Sequence, residues 1–139
     1  MIKELVHDEA ILSTPCEPAT AEDAALAADL VDTLASIDDA VCLAANQIGV
    51  TKCVVAYQDD AGNAHVMYNP RVLAGFGAAK VEESCLTHEE PVRVTRFAKI
   101  KVSFDELVDG ELRARRRDYT GWTAEMIQHM VDHCKGKLV

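Results

Sequence analysis

Several absences narrow the function before any motif is considered. No apolar run is long enough to cross a bilayer, and residues 1–8 have no apolar h-region, so the expected location is cytoplasmic with no membrane partner. Basic charge is scarce. The chain carries 14 Lys and Arg against 23 Asp and Glu, a net charge of −9, which argues against nucleic acid as a direct partner. The one basic patch, Arg113 with Arg115 to Arg117, reads as a solvated strand and turn. Cysteine pairs are missing too. Cys16, Cys42, Cys53, Cys85 and Cys134 are odd in number and scattered, with no C-x-x-C, which excludes a disulfide framework. Cys53 and Cys134 are expected as small buried hydrophobes. There is no internal repeat, low-complexity segment or linker, and 139 residues are expected to form one domain, 1–139.

Periodicity sets out the elements. Residues 1–19 read as irregular, with Pro15 and Pro18 against a continuous helix. Thr20-Ala21-Glu22-Asp23 resembles a capping box, and Leu26, Leu30 and Leu34 then mark an amphipathic helix ending near Asp38. Residues 53–57 read as a strand that turns at 59–63 and returns antiparallel through 65–68, closed by Asn69-Pro70. Gly75 and Gly77 suggest another turn. Ile100, Val102 and Phe104 alternate with polar residues, and Asp109-Gly110 turns that strand into a second hairpin. A helix follows from about Trp122, with Trp122, Met126, Ile127, Met130 and Val131 as candidates for burial, Thr120 or Thr123 as N-cap and Gly136 as C-cap. The expected class is α+β, with short antiparallel strands packed around the C-terminal helix.

That last helix carries the chemistry. In Gln128-His129-Met130-Val131-Asp132-His133 two histidines lie four residues apart on one helical face, so both imidazoles can reach one metal ion. The pattern H-E-x-x-H places a glutamate base after the first histidine; here that position is Met130. Such a histidine pair also arises by accident on a polar helix face, and a third donor is needed to decide. Cys85, in a polar turn-flanked segment, is the best candidate, against its default as a buried thiol.

Three segments together resemble the peptide deformylase family. Its Leu-Ala-Ala-x-Gln motif is similar to Cys42-Leu43-Ala44-Ala45-Asn46-Gln47-Ile48-Gly49, and its Glu-Gly-Cys-Leu-Ser motif to Glu83-Ser84-Cys85-Leu86-Thr87. Its Gln-His-Glu-x-Asp-His motif is similar to residues 128–133. Their order and spacing match over nearly the whole chain. The resemblance implies that Cys85, His129 and His133 bind one divalent metal, Fe(II) in the cell with Zn or Ni as possible occupants. It implies that Gln47, through its amide, and Leu86, through its backbone N–H, stabilise an oxyanion. The substrate implied is the N-formyl group of formyl-methionine on nascent polypeptides, a step of N-terminal protein processing during translation. Met126 is expected to line part of the methionine pocket, and Asp132 to pair with Arg96 beneath Cys85.

The departures from the pattern are specific. Ser84 stands for the second-motif glycine, and Ala40 and Cys42 for glycines of the first, so added side chains narrow the cleft. Met130 has no titratable proton and cannot shuttle one. Glu125, Glu89 and Glu90 are the carboxylates considered as substitute bases, with Glu125 read as an exposed helix residue. The expected activity is a weakened metal-dependent amide hydrolase. The alternative is a non-catalytic, metal-containing binder of formyl peptides or a partner; a metal-free relic ranks last because all three ligand positions survive.

Overall fold

The computed structural model describes residues 1–139 except the side chains of His88 and Glu89. Five strands, β1 (Cys42–Ala44), β2 (Val54–Gln58), β3 (Ala64–Cys85), β4 (His88–Val108) and β5 (Glu111–Thr120), form one antiparallel sheet in sequential order. Three helices accompany it: α1 (Glu9–Leu12), α2 (Ala24–Ser36) and α3 (Gly121–Cys134).

Strand β2 explains the layering. Val55 and Tyr57 join a core with Ile100, Val102 and the α3 residues Ile127, Met130 and Val131. Val54 and Ala56 face the other way, onto Leu30 and Leu34 of α2. Successive strand residues point to opposite faces, so a run buried on both sides must be apolar throughout, and Val54–Tyr57 is. A capping box precedes α2: the Asp23 carboxylate accepts from the Thr20 N–H at 2.8 Å, and the Thr20 hydroxyl accepts from the Glu22 N–H at 3.2 Å.

Some expectations are corrected. A short helix, capped by the Asp8 carboxylate on the Ala10 N–H, interrupts the N-terminal stretch read as irregular. Gly75 and Gly77 do not turn the chain; both lie inside β3, which runs 22 residues against 21 in β4. A Cβ at Gly75 would come within 2.4 Å of the Phe97 ring across the ladder, so this glycine admits an aromatic neighbour rather than making a bend. Trp122, expected to be buried, is 55% exposed at the mouth of a cleft. The Asp109-Gly110 hairpin is present, both residues at positive φ.

Candidate metal centre

The helical spacing of His129 and His133 turns both imidazoles the same way, and the end of β3 brings Cys85 to meet them. The two Nε2 atoms stand 3.1 Å apart, and with the Cys85 sulfur the donor atoms lie within 4.8 Å of one another. Both histidines are buried. Three donors aimed at one focus, a thiolate and two imidazoles, are a set that could hold a metal ion.

The local electrostatics suit metal donors. Burial works against ionising Cys85, but hydrogen bonds from His129, His133 and Thr87 bring its pKa down to about 5. Burial also works against a charged His129, yet the Cys85 sulfur and the Glu83 carboxylate hold it up to about 9. For Glu83 burial is again outweighed, here by His129 and Arg96, which hold it near about 2. His133 is shifted below the usual imidazole range, chiefly by burial.

A shell of directional bonds orients these donors. Glu83 lies 2.8 Å from Nδ1 of His129, which places the proton there and leaves Nε2 as the atom that could face a metal. Arg96 grips Glu83 through Nε and Nη2 and reaches Asp132 through Nη1 at 2.7 Å, tying β3, β4 and α3 together. The Gln128 side chain clasps both the N–H and the carbonyl of Phe97, each at 2.9 Å, fixing the height of α3 on β4. On the other side, Gln47 accepts from the Ala44 N–H at 2.9 Å and donates to Thr87 at 3.1 Å. The Thr87 hydroxyl in turn lies 3.4 Å from the Cys85 sulfur. Asn46 donates to the His133 carbonyl at 2.9 Å. Among the described residues, the buried side-chain atoms without a partner are Asn46 Oδ1 and His133 Nδ1.

The centre opens into a cleft of about 480 Å³. Cys42, Ser84, Leu86, Glu125 and Met126 all line it, as do Gln47 and His129. Met130 forms part of the wall but is only 2% exposed, its thioether packed into the α3 core. Glu125 is not the solvated residue expected from the sequence. It is half-buried beside Glu83, and burial together with that neighbouring carboxylate pushes its pKa up. Glu90 is exposed and does not line the cleft, while the side chain of Glu89 lies outside the described residues.

Two residues were passed over in the sequence. Glu83 was visible only as the first letter of a motif, and nothing local shows that its carboxylate reaches a histidine 46 positions away. Thr87 stands where the second motif has serine, and its hydroxyl joins Gln47 to Cys85.

The family model described as polypeptide deformylase matches residues 2–139. The peptide deformylase of Clostridium beijerinckii is 36% identical over 141 aligned positions, covering 100% of both chains. Among solved structures, a peptide deformylase from Legionella pneumophila is similar with a TM-score of 0.83 at 28% identity, covering 99% of this chain and 83% of its own. A Met-ala-ser bound class I type b peptide deformylase from Acinetobacter baumannii gives a TM-score of 0.84 at 25% identity, covering 99% and 97%.

Proposed function

The chain belongs to the peptide deformylase family, and on that premise we propose that it hydrolyses the N-formyl group of formyl-methionine on nascent polypeptides, with turnover held down by Met130. The observation that carries this reading is the meeting of Cys85, His129 and His133 at the floor of a cleft also lined by Gln47 and Leu86. A divalent ion held there, Fe(II) in the cell or Zn or Ni in its place, supplies Lewis acidity that brings the pKa of a water down to about 7.

The chain's own residues do the rest. Anchoring of the Gln47 oxygen on Ala44 fixes its amide plane; one N–H serves Thr87, and the second is left for the oxygen that gains charge as the formyl carbon becomes tetrahedral. The Leu86 backbone N–H, next to the Cys85 ligand, is the second donor in this proposal. Met126, buried on the cleft wall, contributes apolar surface for the methionine side chain. A Met-ala-ser peptide is bound in the similar Acinetobacter baumannii protein, and a peptide of that kind is the substrate proposed here. Ser84 and Cys42 add side chains to the same cleft and narrow it.

The missing step is proton delivery. When the C–N bond breaks, the departing amine needs a proton, and a thioether has none to give. That contribution is typically worth about 10²–10⁴-fold in rate. The buried thioether is also the specific observation favouring a second reading, in which the centre binds formyl peptides without turning them over.

The deciding assay is deformylation of formyl-Met-Ala-Ser by metal-loaded protein, wild type beside Met130→Glu. A gain within the range above is expected and would show the remaining machinery intact. Equal, high activity in both proteins would overturn the role assigned to Met130. No gain, with metal content verified, would favour the binding reading.

A further inference from the structure

The arginines of the basic run have different surroundings once β5 is in place. Arg113 pairs with Glu111 at 3.4 Å, Arg115 with Glu106 at 3.0 Å, and Arg117 lies over the Phe104 ring. Arg116 is the direct partner of Ser103 on β4, and Ser103 is the direct partner of Arg71 on β3. Direct partners point to the same face, so two guanidinium side chains flank one hydroxyl, their strands about 10 Å apart. Arg71 and Arg116 are both exposed, and the ion pairs among the described residues include neither. All three line a cavity of about 480 Å³ that shares no lining residue with the metal cleft. A bulge between Tyr68 and Arg71 aims this part of β3, with Asn69 at a φ of 54°. The Asn69 side chain holds the bulge in place. It accepts from the Ala19 N–H at 2.7 Å and donates to the Ala19 carbonyl at 2.9 Å and to the Asp105 carboxylate at 3.1 Å.

We propose that Arg71, Ser103 and Arg116 form a second binding site, remote from the metal donors, for a phosphate group that is free or carried on a small molecule. Two like charges on one sheet face repel, and an anion between them removes that repulsion. Each guanidinium offers paired N–H donors in one plane, which match two oxygens of a phosphate. The Ser103 hydroxyl can donate a further bond from the floor between them. Phosphate suits the row better than a carboxylate, because it presents oxygens both toward β3 and toward β5. The Asp105 carboxylate also lines the cavity, two positions along β4 from Ser103 and so on the same face. A single guanidinium would only balance it, so an anion requires both. Arg115 lines the cavity too, but its charge is engaged by Glu106. The chain's net charge of −9 opposes a long polyanion, whereas a small phosphate meets chiefly the field of this row.

The test titrates the metal-loaded full chain with inorganic phosphate and, separately, with glycerol phosphate, read by calorimetry at fixed ionic strength. Arg71→Gln, Arg116→Gln and Arg113→Gln are run beside the wild type, with melting to verify that each is folded. The expected result is one bound phosphate per chain in the wild type and in Arg113→Gln, and binding about tenfold weaker or worse in each of the other two. Saturation by both ligands would identify the phosphate group itself as what is recognised, and saturation by glycerol phosphate alone would identify a phosphorylated small molecule. No binding to the wild type, binding that survives both Arg71→Gln and Arg116→Gln, as for a phosphate on the metal, or an equal response to sodium chloride would each overturn the proposal.

Discussion

Helices α2 and α3 are close in length, 13 and 14 residues, and each lays an apolar stripe on the same sheet. What they bury differs. Helix α2 buries Ala27, Leu30 and Leu34 with one polar residue, Thr33, whose hydroxyl donates to the Asp29 carbonyl within the helix. Helix α3 buries Gln128, His129 and His133 among its apolar residues; Glu83 of β3 bonds His129, Phe97 of β4 bonds Gln128, and the Asn46 side chain bonds the His133 carbonyl. Apolar area holds a helix without specifying its height or rotation to a fraction of an ångström. Hydrogen bonds do specify them, because a buried polar atom left unpaired is costly. The helix that presents the donors is therefore the one pinned by directional bonds.

This contrast can be broken or sharpened by experiment. The largest expected effect is that of Arg96→Ala. It leaves Glu83 and Asp132 without their shared cation, and losing one partner of a buried pair costs about 3–5 kcal/mol. The cost should appear in thermal or urea melting more than in metal content. Wild-type melting together with halved metal would show that Arg96 acts on the donors and not on the frame. Leu30→Ala comes next. Its side chain is fully buried in the α2 core, and the truncation should cost about 2–5 kcal/mol with metal stoichiometry unchanged. Metal loss in the folded variant would mean that the two helices are not independent.

The smallest effect per step is graded in pH and should be confined to the α3 side. In the metal-free protein the Cys85 pKa of about 5 lies below its unfolded value of roughly 8.5. The stability it contributes is full above the unfolded value and is lost as pH falls from there through 5. His129, raised to about 9 from roughly 6.5, has the opposite sense: its contribution is full below 6.5 and lost as pH rises through 9. Between 6.5 and 8.5 the two slopes offset. A plateau is expected there, falling on the acid side in the wild type but less in Cys85→Ser. Equal acid slopes in urea melts of the two proteins would remove Cys85 from the account.

Much of the frame was legible because it rests on local rules. The Leu26, Leu30 and Leu34 repeat, the Thr20 capping box and the Asp109-Gly110 hairpin need no knowledge of distant contacts. Gly75 misled for the opposite reason: the Phe97 ring that requires it lies 22 residues on, across a ladder. Trp122 follows the helical stripe closely enough to suggest burial, but it falls in the first turn, where α3 overhangs the cleft. The centre was legible where residue types announce themselves, as in the cysteine and two histidines. It was not legible at Glu83 and Thr87, whose meaning depends on neighbours supplied by other elements.

The Arg96 network also bears on the charge balance around the centre. With His129 and His133 neutral, as imidazoles holding a metal must be, the thiolate of Cys85 and the carboxylates of Glu83 and Asp132 outnumber the cations that pair with them, and a bound cation would offset the difference. Methionine at position 130 adds no charge to that balance, whereas a glutamate there would add one that only a cation, or a proton, could compensate.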